Sequence, residues 1–124
     1  MTLMFENETY RIRGAAYEVY KEMGNGYVEP VYQECMEKEL ALQQIPFDAQ
    51  REYTLRYKGD PLEHRYIPDL ICFDVIVVEL KAVKALTDEH KAQVMNYLKT
   101  AELRVGLLIN FGHYPGVEIE RIVL

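Results

Sequence analysis

Asp69, Glu79 and Lys81 are the residues whose types and spacing could do chemistry. Asp69 interrupts the apolar stretch Tyr66-Ile67-Pro68-Asp69-Leu70-Ile71, and ten residues later Glu79-Leu80-Lys81 closes the most hydrophobic run of the chain. Side chains alternate along a strand, so Glu79 and Lys81 project to one face while Val78, Leu80 and Ala82 point to the other. If the strands carrying Asp69 and Glu79 pair through a turn near Asp74, the two carboxylates are equidistant from that turn and lie across from each other. Two carboxylates with no charge between them repel. A hard divalent cation such as Mg²⁺, with water in its remaining positions, relieves that repulsion. The competing reading is a strand end emerging into solvent, with Glu79 and Lys81 as a surface ion pair worth about 0–1 kcal/mol. E-x-K alone favours the ion pair; Asp69, at a distance compatible with a shared hairpin, brings the two readings level.

Several elements must form to position these groups. Apolar side chains at Ile12, Ala15, Ala16, Val19, Tyr20 and Met23 recur at helical spacing, which predicts a helix over 8–23 with Asn7 as N-cap and Gly24 as its stop. A second helix should begin at Glu29-Pro30, since Pro suits a first turn and Glu the positive end of the helix dipole. Its buried stripe would be Val31, Tyr32, Cys35, Leu40 and Leu42, with an end before Pro46. The period then shifts to two: Tyr53, Leu55 and Tyr57 share a face, and Lys58-Gly59-Asp60-Pro61 turns the chain into a second strand over 65–73. After a turn at Phe73-Asp74, residues 75–81 read as a strand buried on both faces until its end. Thr87 or Asp88 caps a third helix to about residue 101, with Ala92, Met95, Leu98 and Ala101 inward. Strands at 105–111 and 117–123 complete the order ααβββαββ. The fold class is α/β or α+β, a mixed sheet flanked by helices. The third and fourth strands should be parallel, because the helix between them is a crossover.

The 124 residues are expected to form one domain, 1–124, and 49% hydrophobic residues suffice for its core. Fourteen Lys and Arg against twenty Asp and Glu, net −6, exclude a binder that grips nucleic acid by bulk positive charge. They do not exclude nucleic acid as a substrate, because a bound divalent ion reverses the local field. Cys35 and Cys72 lie in apolar surroundings without C-x-x-C or zinc-ligand spacing and read as reduced core residues. No stretch approaches the roughly 20 apolar residues of a membrane helix, and the start Met1-Thr2-Leu3-Met4 lacks a signal-peptide pattern, so the expected location is cytoplasmic, with no membrane partner. There is no Ser-His-Asp or Cys-His arrangement and no Walker A loop. Gly24-Asn25-Gly26 lacks the third glycine of a dinucleotide fingerprint.

Pro68-Asp69 followed by Glu79-Leu80-Lys81 resembles the P-D…(D/E)-x-K motif of the PD-(D/E)xK nuclease superfamily, which implies a restriction-endonuclease-like core. More closely, Gly26-Tyr27-Val28-Glu29-Pro30-Val31-Tyr32 is similar to the stretch that names the GxxExxY family, a small branch of that superfamily. The likeness continues through Val78-Glu79-Leu80-Lys81-Ala82-Val83, His90-Lys91-Ala92-Gln93 with Tyr97, and Gly106-Leu107-Leu108-Ile109-Asn110-Phe111. It implies that Asp69 and Glu79 are metal ligands with the Leu80 carbonyl as a further one, and that Lys81 activates water and stabilises charge on the phosphate. Glu29 is similar to the extra acidic ligand of RecB-like nucleases, against the plainer reading of a helix-dipole glutamate. Gln93 and Tyr97, four apart on one helix face, resemble the Q-x-x-x-Y element that positions catalytic groups or nucleic acid. His90, on that same face, could contact phosphate, although a hydrogen-bonded structural histidine is the commoner case. For Tyr32, packing on the sheet is the better reading.

Phosphodiester cleavage needs an activated water and positive charge at the non-bridging oxygens, which Mg²⁺ or Mn²⁺ with Lys81 would supply. The expected activity is thus a metal-dependent nuclease acting on nucleic acid, with DNA the favoured substrate. The alternative is a catalytically silent nuclease-fold binding or accessory module. So small a chain offers little surface to enclose a duplex, so a homodimer or a partner subunit is expected to complete the groove.

Overall fold

A computed structural model describes residues 3–124. Met1 and Thr2 of the N-terminal stretch lie outside the described residues. Two helices come first, α1 (Glu6–Met23) and α2 (Glu29–Leu42), followed by strands β1 (Phe47–Asp48), β2 (Tyr53–Tyr57), β3 (Asp60–Tyr66), β4 (Leu70–Cys72) and β5 (Ile76–Lys81). Helix α3 (Asp88–Ala101) then crosses over to β6 (Val105–Asn110), and β7 (Glu118–Val123) ends the chain. Five strands form a mixed sheet in the order β1-β4-β5-β6-β7, while β2 and β3 pair only with each other. The β5–β6 pair is parallel and its neighbours on either side are antiparallel, as the crossover predicts.

Alternation along β5 sorts its side chains between two cores. Ile76, Val78 and Leu80 pack with Ile12, Ala15, Ala16 and Val19 of α1 and with Tyr32, Met36 and Leu40 of α2. Val77 packs on the other face with Val94 and Leu98 of α3. Glu79 and Lys81 share the parity of Val77 and therefore belong to the α3 face. Helix α3 sits close on the sheet at Gly106, where an added Cβ would come within 2.9 Å of the Val94 side chain.

Several local expectations need correction. The strand expected over 65–73 is two strands in two sheets, because Pro68 has no N–H to contribute to a ladder and the chain changes sheet at Ile67-Pro68-Asp69. The short strand β1, paired with β4, was not anticipated. Helix α1 starts before Asn7, with Phe5 in a left-handed conformation at its N-cap (φ 55°). The inward stripe of α2 is Tyr32, Met36 and Leu40, a straight i, i+4 line, and Leu42 is 78% exposed. In α3 the docking at Gly106 turns Val94 inward with Leu98, which leaves Ala92 exposed. Thr87 is the α3 N-cap. Both cysteines are free thiols, Cys72 buried and Cys35 half-buried.

Candidate functional site

The β4–β5 register pairs Leu70 with Val78. One step further along the same antiparallel register, Asp69 faces Glu79. Asp69 follows Pro68, where the ladder cannot continue, and its side chain takes over: Oδ2 accepts a hydrogen bond from the Leu80 amide at 2.7 Å. Its backbone carbonyl accepts from Gln33 Nε2 at 2.9 Å, which ties the Asp69 turn to α2.

Glu79 is only 8% exposed. Its Oε1 accepts a hydrogen bond from the Tyr66 hydroxyl at 2.6 Å. The Tyr66 ring stacks on Tyr97 at 3.9 Å between centroids and on Tyr53 at 6.0 Å. Burial, and then the charge of Asp69, push the Glu79 carboxyl up to about 8, against the opposing pull of the Tyr66 hydrogen bond and the Lys81 charge. Burial and the neighbouring Glu79 also hold Tyr66 as a neutral phenol, and Tyr97 is raised for the same reasons.

Lys81 ends β5 half-buried. Its Nζ donates to Gln93 Oε1 at 3.4 Å, and no salt bridge joins it to Glu79 among the described residues. The surface ion pair weighed against the functional reading is therefore not the arrangement found. Gln93 and Tyr97 share one face of α3, the first reaching Lys81 and the second Tyr66. His90 is engaged at the start of that helix: its Nδ1 accepts from the Thr87 amide at 3.1 Å, while the Thr87 hydroxyl accepts from the His90 amide at 3.3 Å. This reciprocal cap is the structural role considered for it.

Glu29 stands exposed in the first turn of α2. It lines a cavity of about 410 Å³ together with Gln33, Glu37, Pro68, Asp69 and Leu80. The spacing of Gly26, Glu29 and Tyr32 has a mechanical basis. The Tyr32 ring stacks on Phe111 at 4.5 Å, its hydroxyl donates to the Gly24 carbonyl at 2.5 Å and accepts from the Tyr27 amide at 3.2 Å. One buried side chain thereby clasps the turn that delivers Glu29.

Fully buried Asn110 orders the chain between β5 and α3. Its Oδ1 accepts from the Val83 and Gly112 amides, and its Nδ2 donates to Glu118 Oε1, which also accepts from the Leu86 amide. The start of α3, and with it Gln93, is thus anchored to β6 and β7.

The candidate residues fall into two groups that meet at Asp69. Glu29, Asp69 and Leu80 line the cavity, while Glu79, Lys81, Gln93 and Tyr97 are linked on the α3 face. No cluster of three or more His, Cys, Asp or Glu that could hold a metal is gathered among the described residues. Two adjacent carboxylates, one largely desolvated and repelled by the other, nevertheless make a hard oxygen donor pair that a divalent cation would relieve. With water in the remaining positions, the donor set fits Mg²⁺ or Mn²⁺. Sequence reasoning missed Gln33, Glu37 and Tyr66. Gln33 and Glu37 continue the i, i+4 line from Glu29 and were recoverable from it. Tyr66 was not, because it reaches Glu79 from the other sheet.

A family model described as PD-(D/E)XK nuclease superfamily matches residues 6–122. No match was found among curated proteins. Among solved structures, the crystal structure of SSO0001 is similar in fold, with a TM-score of 0.62 and 16% identity over 96% of this chain and 59% of that one. The chain therefore spans about three fifths of the length of that protein. No described helix is long and apolar enough to cross a membrane.

Proposed function

Because the chain belongs to the PD-(D/E)XK nuclease superfamily, we propose that it is a metal-dependent nuclease that hydrolyses phosphodiester bonds of nucleic acid, with DNA as substrate. The supporting observation is the juxtaposition of Asp69 and Glu79 beside a Lys81 whose ammonium is turned to a neutral amide rather than to either carboxylate. Asp69 and Glu79 would hold Mg²⁺ or Mn²⁺, with Glu29 and the Leu80 carbonyl as further ligands. When bound, the ion supplies positive charge at the phosphate and acidifies water. Lys81 Nζ orients the attacking water and stabilises charge on a non-bridging phosphate oxygen. Gln93 steers Lys81 and contacts the nucleic acid, Tyr97 buttresses the acidic pair, and His90 fixes the helix end that the phosphate approaches. No protein nucleophile is needed.

Gly26, Glu29 and Tyr32 support placement in the GxxExxY branch, and Gln93 with Tyr97 a RecB-like site. We read residues 1–124 as one nuclease-like domain acting in the cytoplasm, with a second copy or a partner subunit completing the groove. The test is incubation of the protein with Mg²⁺ or Mn²⁺ and mixed DNA and RNA substrates, beside Asp69→Ala and Lys81→Ala. Cleavage by the native protein alone is expected; equal product in all three samples would refute the assignment. A silent binding or accessory module is the second reading, favoured by the lack of a third gathered carboxylate among the described residues. Calorimetry separates them, since the nuclease must bind Mn²⁺ through Asp69 and Glu79, and the module need only bind its protein partner.

A further inference from the structure

We infer that Tyr66 is a positioning residue of the site, its hydroxyl holding the Glu79 carboxylate in the orientation that a divalent cation requires. This rests on the metal-site reading above and adds to it a residue from outside the five-stranded sheet. Tyr66 is the last residue of β3, and the hairpin it belongs to is otherwise exposed or half-buried; Tyr66 alone is buried, at 6% exposure. Its ring stacks on Tyr97 of α3 and on its cross-strand partner Tyr53. The ring so packed presents its hydroxyl to Glu79 Oε1 at 2.6 Å.

A glutamate has three rotatable side-chain bonds, so its carboxylate needs outside partners to stay aimed. Glu79 accepts a hydrogen bond on one oxygen from Tyr66, and its other close side-chain neighbour is the Asp69 carboxylate, so a cation would be shared between the two acids. Hydrogen-bond partners of this kind around a metal ligand typically govern metal affinity by about 10–100-fold. The stack also explains how Tyr97 acts on the site, through Tyr66, by packing the ring that carries the donor. A purely structural Tyr66 would fill the same space and satisfy the same hydroxyl, but its removal would change stability and leave metal affinity alone.

Mn²⁺ affinity of the full chain, measured by calorimetry at pH 8 with the fold checked by circular dichroism, distinguishes the two. Tyr66→Phe keeps the ring and removes the donor, and should weaken Mn²⁺ binding by about tenfold or more. Tyr97→Leu removes one wall of the stack and should weaken it by a smaller factor. Tyr53→Phe takes a hydroxyl from the same stack without touching Glu79 and should bind as the native protein does. Native affinity in Tyr66→Phe overturns the inference; should that variant not fold, native affinity in Tyr97→Leu overturns it. Absence of Mn²⁺ binding by the native protein itself refutes the metal site as a whole, a separate result.

Discussion

Replacing Glu79 with Gln in the metal-free protein removes a charge that the fold accommodates poorly while keeping its hydrogen-bonding shape. The amide oxygen can accept from Tyr66 as Oε1 does, and the amide N–H₂ can donate toward Asp69, as the protonated acid would. Glu79 is pushed from the ordinary 4.5 to about 8 by burial and the Asp69 charge. Between those values the folded protein holds a proton that the unfolded chain has released, so folding becomes less favourable as pH rises. The penalty is absent below about pH 4.5, grows through the interval, and is complete above about pH 8. From pH 6 to pH 8 it increases by about 2 kcal/mol, which for a domain of this size is on the order of 8 °C in Tm. Thermal melts in EDTA should therefore show native protein and Glu79→Gln drawing apart across this range, with the variant the more stable at pH 8. Mn²⁺ at pH 8 should raise the native Tm and leave that of the variant in place. A constant difference in Tm between the two proteins from pH 6 to pH 8 would refute the picture of a desolvated, mutually repelled carboxyl pair.

Other perturbations separate scaffold from chemistry. Asp69→Ala strands the Leu80 amide and should cost about 1–3 kcal/mol, whereas Asp69→Asn keeps an acceptor and should melt nearer the native protein; equal losses would remove the ladder-ending role from this side chain. Lys81→Ala should abolish cleavage with Tm almost unchanged, within about 0.5 kcal/mol, since the one hydrogen bond its half-buried side chain makes among the described residues is the long one to Gln93. Gly112→Ala would drive a methyl into the Val83 backbone and should lower stability by about 1–3 kcal/mol, measured by urea denaturation. Thr87→Ala removes the α3 cap at a cost of about 1 kcal/mol, and faster amide exchange in the first turn of α3 would report it.

Period and parity made the placement of Asp69, Glu79 and Lys81 legible in advance. The pairing of Asp69 with Glu79 followed from two distances to one turn, and the common face of Glu79 and Lys81 from alternation alone. The parallel β5–β6 pair followed from the length of the crossover. What escaped were features set by tertiary docking. Helix α3 is rotated to bring Val94 onto Gly106, a contact that no helical periodicity encodes, and so Ala92 was assigned inward. The break at Pro68 was visible as a proline, but its consequence, a single expected strand over 65–73 divided between two sheets, was not. Tyr66 was hidden for the same reason: its partner lies thirteen residues away across a sheet boundary. Tyr32 packs as its spacing suggests, and its hydroxyl also clasps the turn before Glu29.

The bond from Asp69 Oδ2 to the Leu80 amide bears on how this chain can change over evolutionary time. A carboxylate that finishes a sheet is kept by selection for a stable protein, whether or not it also serves turnover. A descendant that had abandoned catalysis would thus retain Asp69, and with it most of the signature by which such chains are recognised. Lys81, which the fold hardly uses, has no such protection and would drift first. Across relatives of this chain, Asp69 at the sheet boundary is therefore expected to be kept more widely than the lysine at the end of β5, which an alignment of their sequences would check.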